Sequence, residues 1–336
     1  VSLFRAEARR LVKRRFTRYM LLIGVLVLAA VAVGMFFGHQ KIGPAQLAAA
    51  QRAAEREYQQ QVRFSEQFRA ECERAKDSGA PDANRFPPDC DQLIPPREAF
   101  PAKNFLPATF EFAKTFPATL MVLVGVLAMV AFVVGASYVG AEWHSGGMMN
   151  LLLWRPRRLR VLLAKFGTLM AGLLVTTLVL GAAWLAAFWA IGTYRGTTTG
   201  MTPGVWRSFA LTGVRGLALI LVAGLVGFAV ASIGRHTAFA LGGAIAVIVV
   251  GQIGLGVALQ LARVRFPEAY LLPTHVYAWM TKKVTLQDWR SCQFVMGECH
   301  PKTMDLTWQG SGVLFGAAAL VMFGVALWTM RRRDIT

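Results

Sequence analysis

A chain of 336 residues with 55% hydrophobic side chains and a mean hydropathy of +0.46 is too apolar for a soluble domain of that length, so its composition points to an integral membrane protein. The formal net charge of +18 comes from 36 Lys and Arg against 18 Asp and Glu. Many of these basic residues flank apolar runs, where anionic lipid is the simpler partner; no nucleic-acid-reading module is recognisable, and nucleic acid is not expected.

In chain order, residues 1–18 carry Phe4, Ala8, Leu11, Val12 and Phe16 at roughly helical spacing, with basic residues between them. This pattern predicts an amphipathic helix lying in the inner membrane interface. Six runs then reach the roughly 20 apolar residues that cross a bilayer: 19–37, 116–139, 167–191, 209–233, 237–261 and 312–330. None contains Asp or Glu. The fourth and fifth are divided only by Gly234, Arg235 and His236, where a tight turn is expected because the undivided run is far too long to cross once. The expected fold is an all-α polytopic membrane protein with six transmembrane helices. The first run lacks a small-residue cleavage pattern at its end and is expected to serve as an uncleaved signal anchor.

Lys and Arg near the ends of the runs set the orientation. Residues 1–18, the loop 140–166, Arg235 and the tail 331–336 together hold sixteen basic residues against Glu7, Glu142 and Asp334. That is +13 of the net +18, which places both termini in the cytoplasm; the expected location is a bacterial inner membrane. The insertion 38–115 then lies outside. Ala45 to Lys76 is rich in Ala, Glu, Gln and Arg and predicts a long helix; prolines from Pro81 to Pro107 break the return. The short outer loop 192–208 follows the third run. The outer segment 262–311 carries Phe266, Tyr270, Tyr277 and Trp279, which suits either a short helix dipping back into the interface or a loop with no role in transport.

Cys72 and Cys90 lie in the first outer segment, and Cys292 and Cys299 in the last. Four cysteines allow three connectivities. Local pairing, Cys72 with Cys90 and Cys292 with Cys299, is expected because short loops close at lower entropic cost, and it implies an oxidising compartment.

Several chemistries lack their residues. There is no His-Glu-x-x-His pair for zinc, and the five histidines are scattered over different loops. Gly-Lys never occurs, so no phosphate-binding loop exists in this chain; ATP and Mg would be bound by a partner. Ion-coupled transport favours carboxylates at mid-membrane depth, and the runs hold none. Arg215 is the one clear charge inside a run, expected either to snorkel outward or to cap a substrate path.

The loop 140–166 is a charged, glycine-broken elbow. Glu142 ends the second run, Ser145, Gly146 and Gly147 permit a sharp turn, and Met148 to Trp154 supply one or two apolar turns that Pro156 stops. Arg155, Arg157, Arg158 and Arg160 hold the surface and Lys165 precedes the third run. A short apolar helix between charged hinges suits docking into a groove on a moving partner.

The order Glu142, Ser145-Gly146, Leu152-Leu153, Pro156, Arg157, Lys165 resembles the first cytoplasmic loop of the ABC type 2 exporter permeases. The six runs, the cytoplasmic termini and the amphipathic N-terminal helix extend the resemblance over most of the chain, although the insertion 38–115 is longer than in many members. The resemblance implies that Glu142, Ser145, Gly146, Gly147, Met148, Met149, Leu152, Leu153, Pro156, Arg157 and Lys165 couple the chain to two ABC ATPase subunits. A second copy or a sister permease completes the transporter, and this subunit has no ATPase site of its own. Phe132, Tyr138, Arg215, Phe228 and Gln252 are candidate path residues for a hydrophobic or amphipathic cargo such as a drug or lipid. The alternative reading is a non-transporting receptor whose outer insertion binds a ligand or envelope partner.

Overall fold

The structure, a computed structural model, describes residues 3–78, 85–148, 158–291 and 301–332. Among these residues, six helices are long and apolar enough to cross a membrane. The chain divides into two compact units, one built from residues 1–32, 113–187 and 200–336 and the other from 33–112 and 188–199.

In the first unit, α1 (Leu3–Lys13) is followed after Arg14 by α2 (Arg15–Gly38). The remaining spans are α4 (Phe112–His144), α5 (Arg158–Arg195), α6 (Pro203–Gly234), α7 (Thr237–Leu261) and α9 (Trp308–Arg332). Helix α5 starts nine residues before the apolar run that marks it. Arg158, Arg160 and Lys165 are good helix formers, and hydropathy reports the hydrocarbon-facing part of a helix rather than its length. Thr202 caps α6, its hydroxyl accepting from the Val205 N–H. Arg235 then takes a left-handed conformation at φ 54°, and His236 caps α7 by accepting the Ala238 N–H.

Helices α4 and α6 pack backbone to backbone. A Cβ added at Gly135 would collide with the Gly224 carbonyl, and one at Gly227 with the Phe132 backbone. Without a hydrophobic drive between helices in lipid, such close approach supplies the packing energy. Helix α7 is the opposite case, with 6% of its most apolar window buried and Ile245, Val250 and Leu261 exposed. Its middle, Val247–Gly254, is π-helical, a rare geometry that recurs at functional sites.

Between α7 and α9 lie α8 (Leu272–Thr281) and an antiparallel hairpin of β3 (Lys283–Asp288) and β4 (Lys302–Thr307). Helix α8 is the short helix of this segment. Its Trp279 donates to the Arg215 carbonyl at 2.9 Å, with its ring against Gly312 of α9. The expected Cys292–Cys299 bond lies outside the described residues.

The second unit centres on α3 (Pro44–Asp77), 34 residues and about 51 Å long at 1.5 Å per residue. Gln46 accepts the Gly43 N–H at its start, with Pro44 in the first turn. The return strand of chain is a series of 3₁₀ turns tied to the helix by Cys72–Cys90, by Arg97 to Glu55 at 2.6 Å, and by Lys76, which donates to the carbonyls of Pro87 and Pro88. A short parallel pair, β1 (Phe110–Glu111) with β2 (Gly196–Thr197), joins buried Phe110, Phe112 and Phe188 in one aromatic cluster.

Candidate functional site

The elbow begins in the last turn of α4. A carboxylate there faces the negative end of the helix dipole, so Glu142 needs a cation to hold it. Lys165 supplies the charge: its Nζ lies 2.7 Å from Glu142 Oε2. The same Nζ lies 2.6 Å from Glu7 Oε2, a residue of α1. The Tyr138 hydroxyl of α4 donates to that Glu7 oxygen at 2.9 Å, and Lys165 stands 5.0 Å over the Tyr138 ring. Arg10 pairs with the other Glu7 oxygen at 3.3 Å.

Burial makes this cluster consequential. Lys165 is 0% and Glu7 1% exposed, and Tyr138 is buried with them. Charges withdrawn from water cost several kcal/mol each unless paired and hydrogen-bonded. Here two carboxylates meet Lys165 and Arg10 and the balance is neutral. Arg14 adds a tie from the α1–α2 junction, donating to the Ser137 carbonyl at 2.7 Å. Burial pulls the Arg14 guanidinium below its ordinary value, against the opposing attraction of Glu142 and Tyr138. The cluster therefore clamps α1, α4 and α5 together where the elbow leaves α4.

Gly146, at φ +71°, makes the turn after α4, and its N–H reaches the Trp143 carbonyl. A side chain at that φ would be strained, which is the use of glycine there. The Ser145 hydroxyl faces the Glu142 carbonyl at 3.5 Å, and Gly147 opens the next helical turn with Met148 buried behind it. Met149, Leu152, Leu153, Pro156 and Arg157 lie outside the described residues. The α6–α7 turn braces the elbow: His144 and His236 rings are 4.6 Å apart, and Arg235 stands 5.0 Å over the Trp143 ring.

Sequence reasoning placed Lys165 at the mouth of the third span; it lies seven residues inside α5 and wholly buried. Glu7 was missed as a site residue. It was counted as one acid among basic residues, yet it falls on the stripe Phe4, Glu7, Leu11, where i+3 and i+4 spacing aims a side chain inward. Its position on that stripe was the available signal.

The five candidate path residues do not form one group. Tyr138 belongs to the clamp. Phe228 is buried against Phe166, and Phe132 contributes backbone to the close approach of α4 and α6. Gln252 accepts the Leu272 N–H at 2.7 Å, tying the π-helical segment to the start of α8. Arg215 lies 4.7 Å over the Trp308 ring, so its charge is met by an aromatic face within the bundle.

Six apolar helices, two of which meet α1 in a buried charge clamp, define a multi-pass membrane protein. Residues 1–335 match the family described as ABC-2 family transporter protein, and the chain belongs to it. It is thus a permease subunit of an ABC transporter, and membership implies an ABC ATPase as partner. Comparison with curated proteins finds no match.

Proposed function

We propose that this permease exports a hydrophobic or amphipathic molecule across a bacterial cytoplasmic membrane, with both termini in the cytoplasm. Two ABC ATPases, which bind ATP and Mg, dock on the elbows of two permease chains, either two copies of this one or this one with a sister. The observation that carries the coupling role is the closure of the elbow. Glu142 and Lys165 stand on its two sides and meet at 2.7 Å, with Glu7 bound to the same amine.

A push on Met148 to Trp154 then acts on α1, α4 and α5 as one body. ATP-driven closure of the ATPases tilts that body against α6 and α7, and the path opens outward. Cargo chemistry is read from the carboxylate-free spans, which offer apolar walls rather than ion-relay sites.

Co-expression of the chain with its cognate ABC ATPase tests the docking. Copurification is expected, and Leu152→Asp, which puts a charge into the apolar stretch Met148 to Trp154, is expected to abolish it without removing the protein from the membrane. Undiminished association in the variant would contradict the elbow as the docking element, and no association of the wild type would contradict the docking of this ATPase altogether.

A further inference from the structure

At the end of α7 distant from the α6–α7 turn, a cavity of about 730 Å³ opens between the helix terminus and the end of β3. Arg263, Arg265 and Arg290 line it together with Phe266 and Trp289. Its acids are Glu268 and Asp288, and Asp288 already lies 3.7 Å from Arg265. Among the described residues neither Arg263 nor Arg290 has a carboxylate within ion-pair distance. Two open guanidinium groups thus face one open carboxylate, a net surplus of one positive charge.

The backbone is shaped to present them. Arg263 and Phe266 both adopt left-handed conformations, at φ 53° and 55°. Two non-glycine residues held so within four positions carry strain of order 1–3 kcal/mol each, a feature that clusters at ligand clamps.

The surroundings name the ligand's chemistry. Leu261, 80% exposed, ends the lipid-facing surface of α7 beside the cavity, and Trp289 is 66% exposed on its wall. An apolar helix end, an exposed indole and arginines together mark the depth of lipid headgroups. Arginine forks match phosphate oxygens two at a time. We infer that this cavity binds the phosphate of an anionic membrane lipid, its tails lying along α7 and its single negative charge answering the surplus cation. A zwitterionic headgroup would leave that surplus unmatched. The site is independent of what the transporter carries.

The test uses the full chain in phosphatidylcholine nanodiscs into which tail-brominated phosphatidylglycerol or tail-brominated phosphatidylcholine is titrated. Trp289 quenching is isolated by subtracting the Trp289→Phe variant. Half-maximal quenching is expected at about tenfold less brominated phosphatidylglycerol than phosphatidylcholine. Arg263→Gln with Arg290→Gln should erase that preference, Arg263→Lys with Arg290→Lys should keep most of it, and Arg207→Gln should leave it unchanged. Equal quenching by the two lipids, or a preference that survives the double glutamine variant, overturns the site. Relief of quenching by millimolar glycerol phosphate would keep the phosphate chemistry and overturn the lipid source. If the double glutamine variant does not elute as a folded species, Arg290→Gln alone is read across a salt series. The preference of the wild type should then shrink with ionic strength, and that of the variant should be smaller at every point; curves that coincide overturn the site.

Discussion

The clamp beneath the elbow and the cavity at the far end of α7 use the same residue types to opposite ends. At the clamp, Glu7, Glu142, Lys165 and Arg10 are matched to one another, and Glu7 and the Lys165 amine are sealed from solvent. At the cavity, Arg263 and Arg290 have no carboxylate partner among the described residues and stand beside one acid, Glu268, that is likewise unmatched among them. A closed cluster stores its charge energy in holding helices together, so it suits force transmission. An open one keeps its charge for a ligand.

That contrast is broken most severely at Lys165. Lys165→Met strips buried Glu7 and half-buried Glu142 of the cation they share and should cost about 3–5 kcal/mol, seen as a lowered unfolding temperature in detergent and loss of ATP-coupled function. Adding Glu7→Gln to Lys165→Met removes one stranded charge and should recover part of the loss; no recovery would contradict the pairing.

In the second unit, Cys72→Ser with Cys90→Ser opens the staple between α3 and its return. It should destabilise that unit by about 2–4 kcal/mol, with limited proteolysis cutting near residues 85–107 while the spans stay protected. Gly227→Ala drives a methyl into the Phe132 backbone and should cost about 1–3 kcal/mol of bundle stability. Gly34→Ala, with nothing within 4 Å of the added carbon, serves as the neutral control.

The smallest effect expected is on the β3–β4 hairpin. A hydrogen bond from Lys283 and another from Thr285 hold the Asp305 carboxyl below its ordinary range. The folded value is depressed, so its contribution is present above the unfolded carboxylate value and lost as pH falls through the folded one. Hydrogen exchange of hairpin amides should quicken relative to the spans on acidification, and Asp305→Asn should remove that dependence.

The spans were legible because hydrocarbon demands unbroken apolar runs, and the α6–α7 turn because Gly234, Arg235 and His236 interrupt one. Cys72 and Cys90 were legible as a local pair, 18 residues apart. Glu7 was not, since its partner Lys165 is 158 residues away and only the convergence of three helices makes it a buried base for the clamp. The hairpin was equally hidden. Val284 and Leu286 in one strand pair with Leu306 and Met304 in the other, but two alternating apolar positions per strand among mostly polar, exposed residues are too short a pattern to announce a strand. The elbow's glycine turn could be read from residue types, whereas the depth of Lys165 could not, because charge density signals a membrane surface even when pairing carries the charge inside.

The central claim is that α1, α4 and α5 move as one body when the ATPase closes. Spin labels at positions 9 and 160, and at 160 and 239, would give the relevant distances by pulsed electron resonance in the reconstituted complex, without nucleotide and with ATP trapped. The account predicts that the Arg9–Arg160 distance stays fixed while the Arg160–Phe239 distance changes. A change in the first with none in the second would show that the clamp opens rather than transmits, and would contradict it.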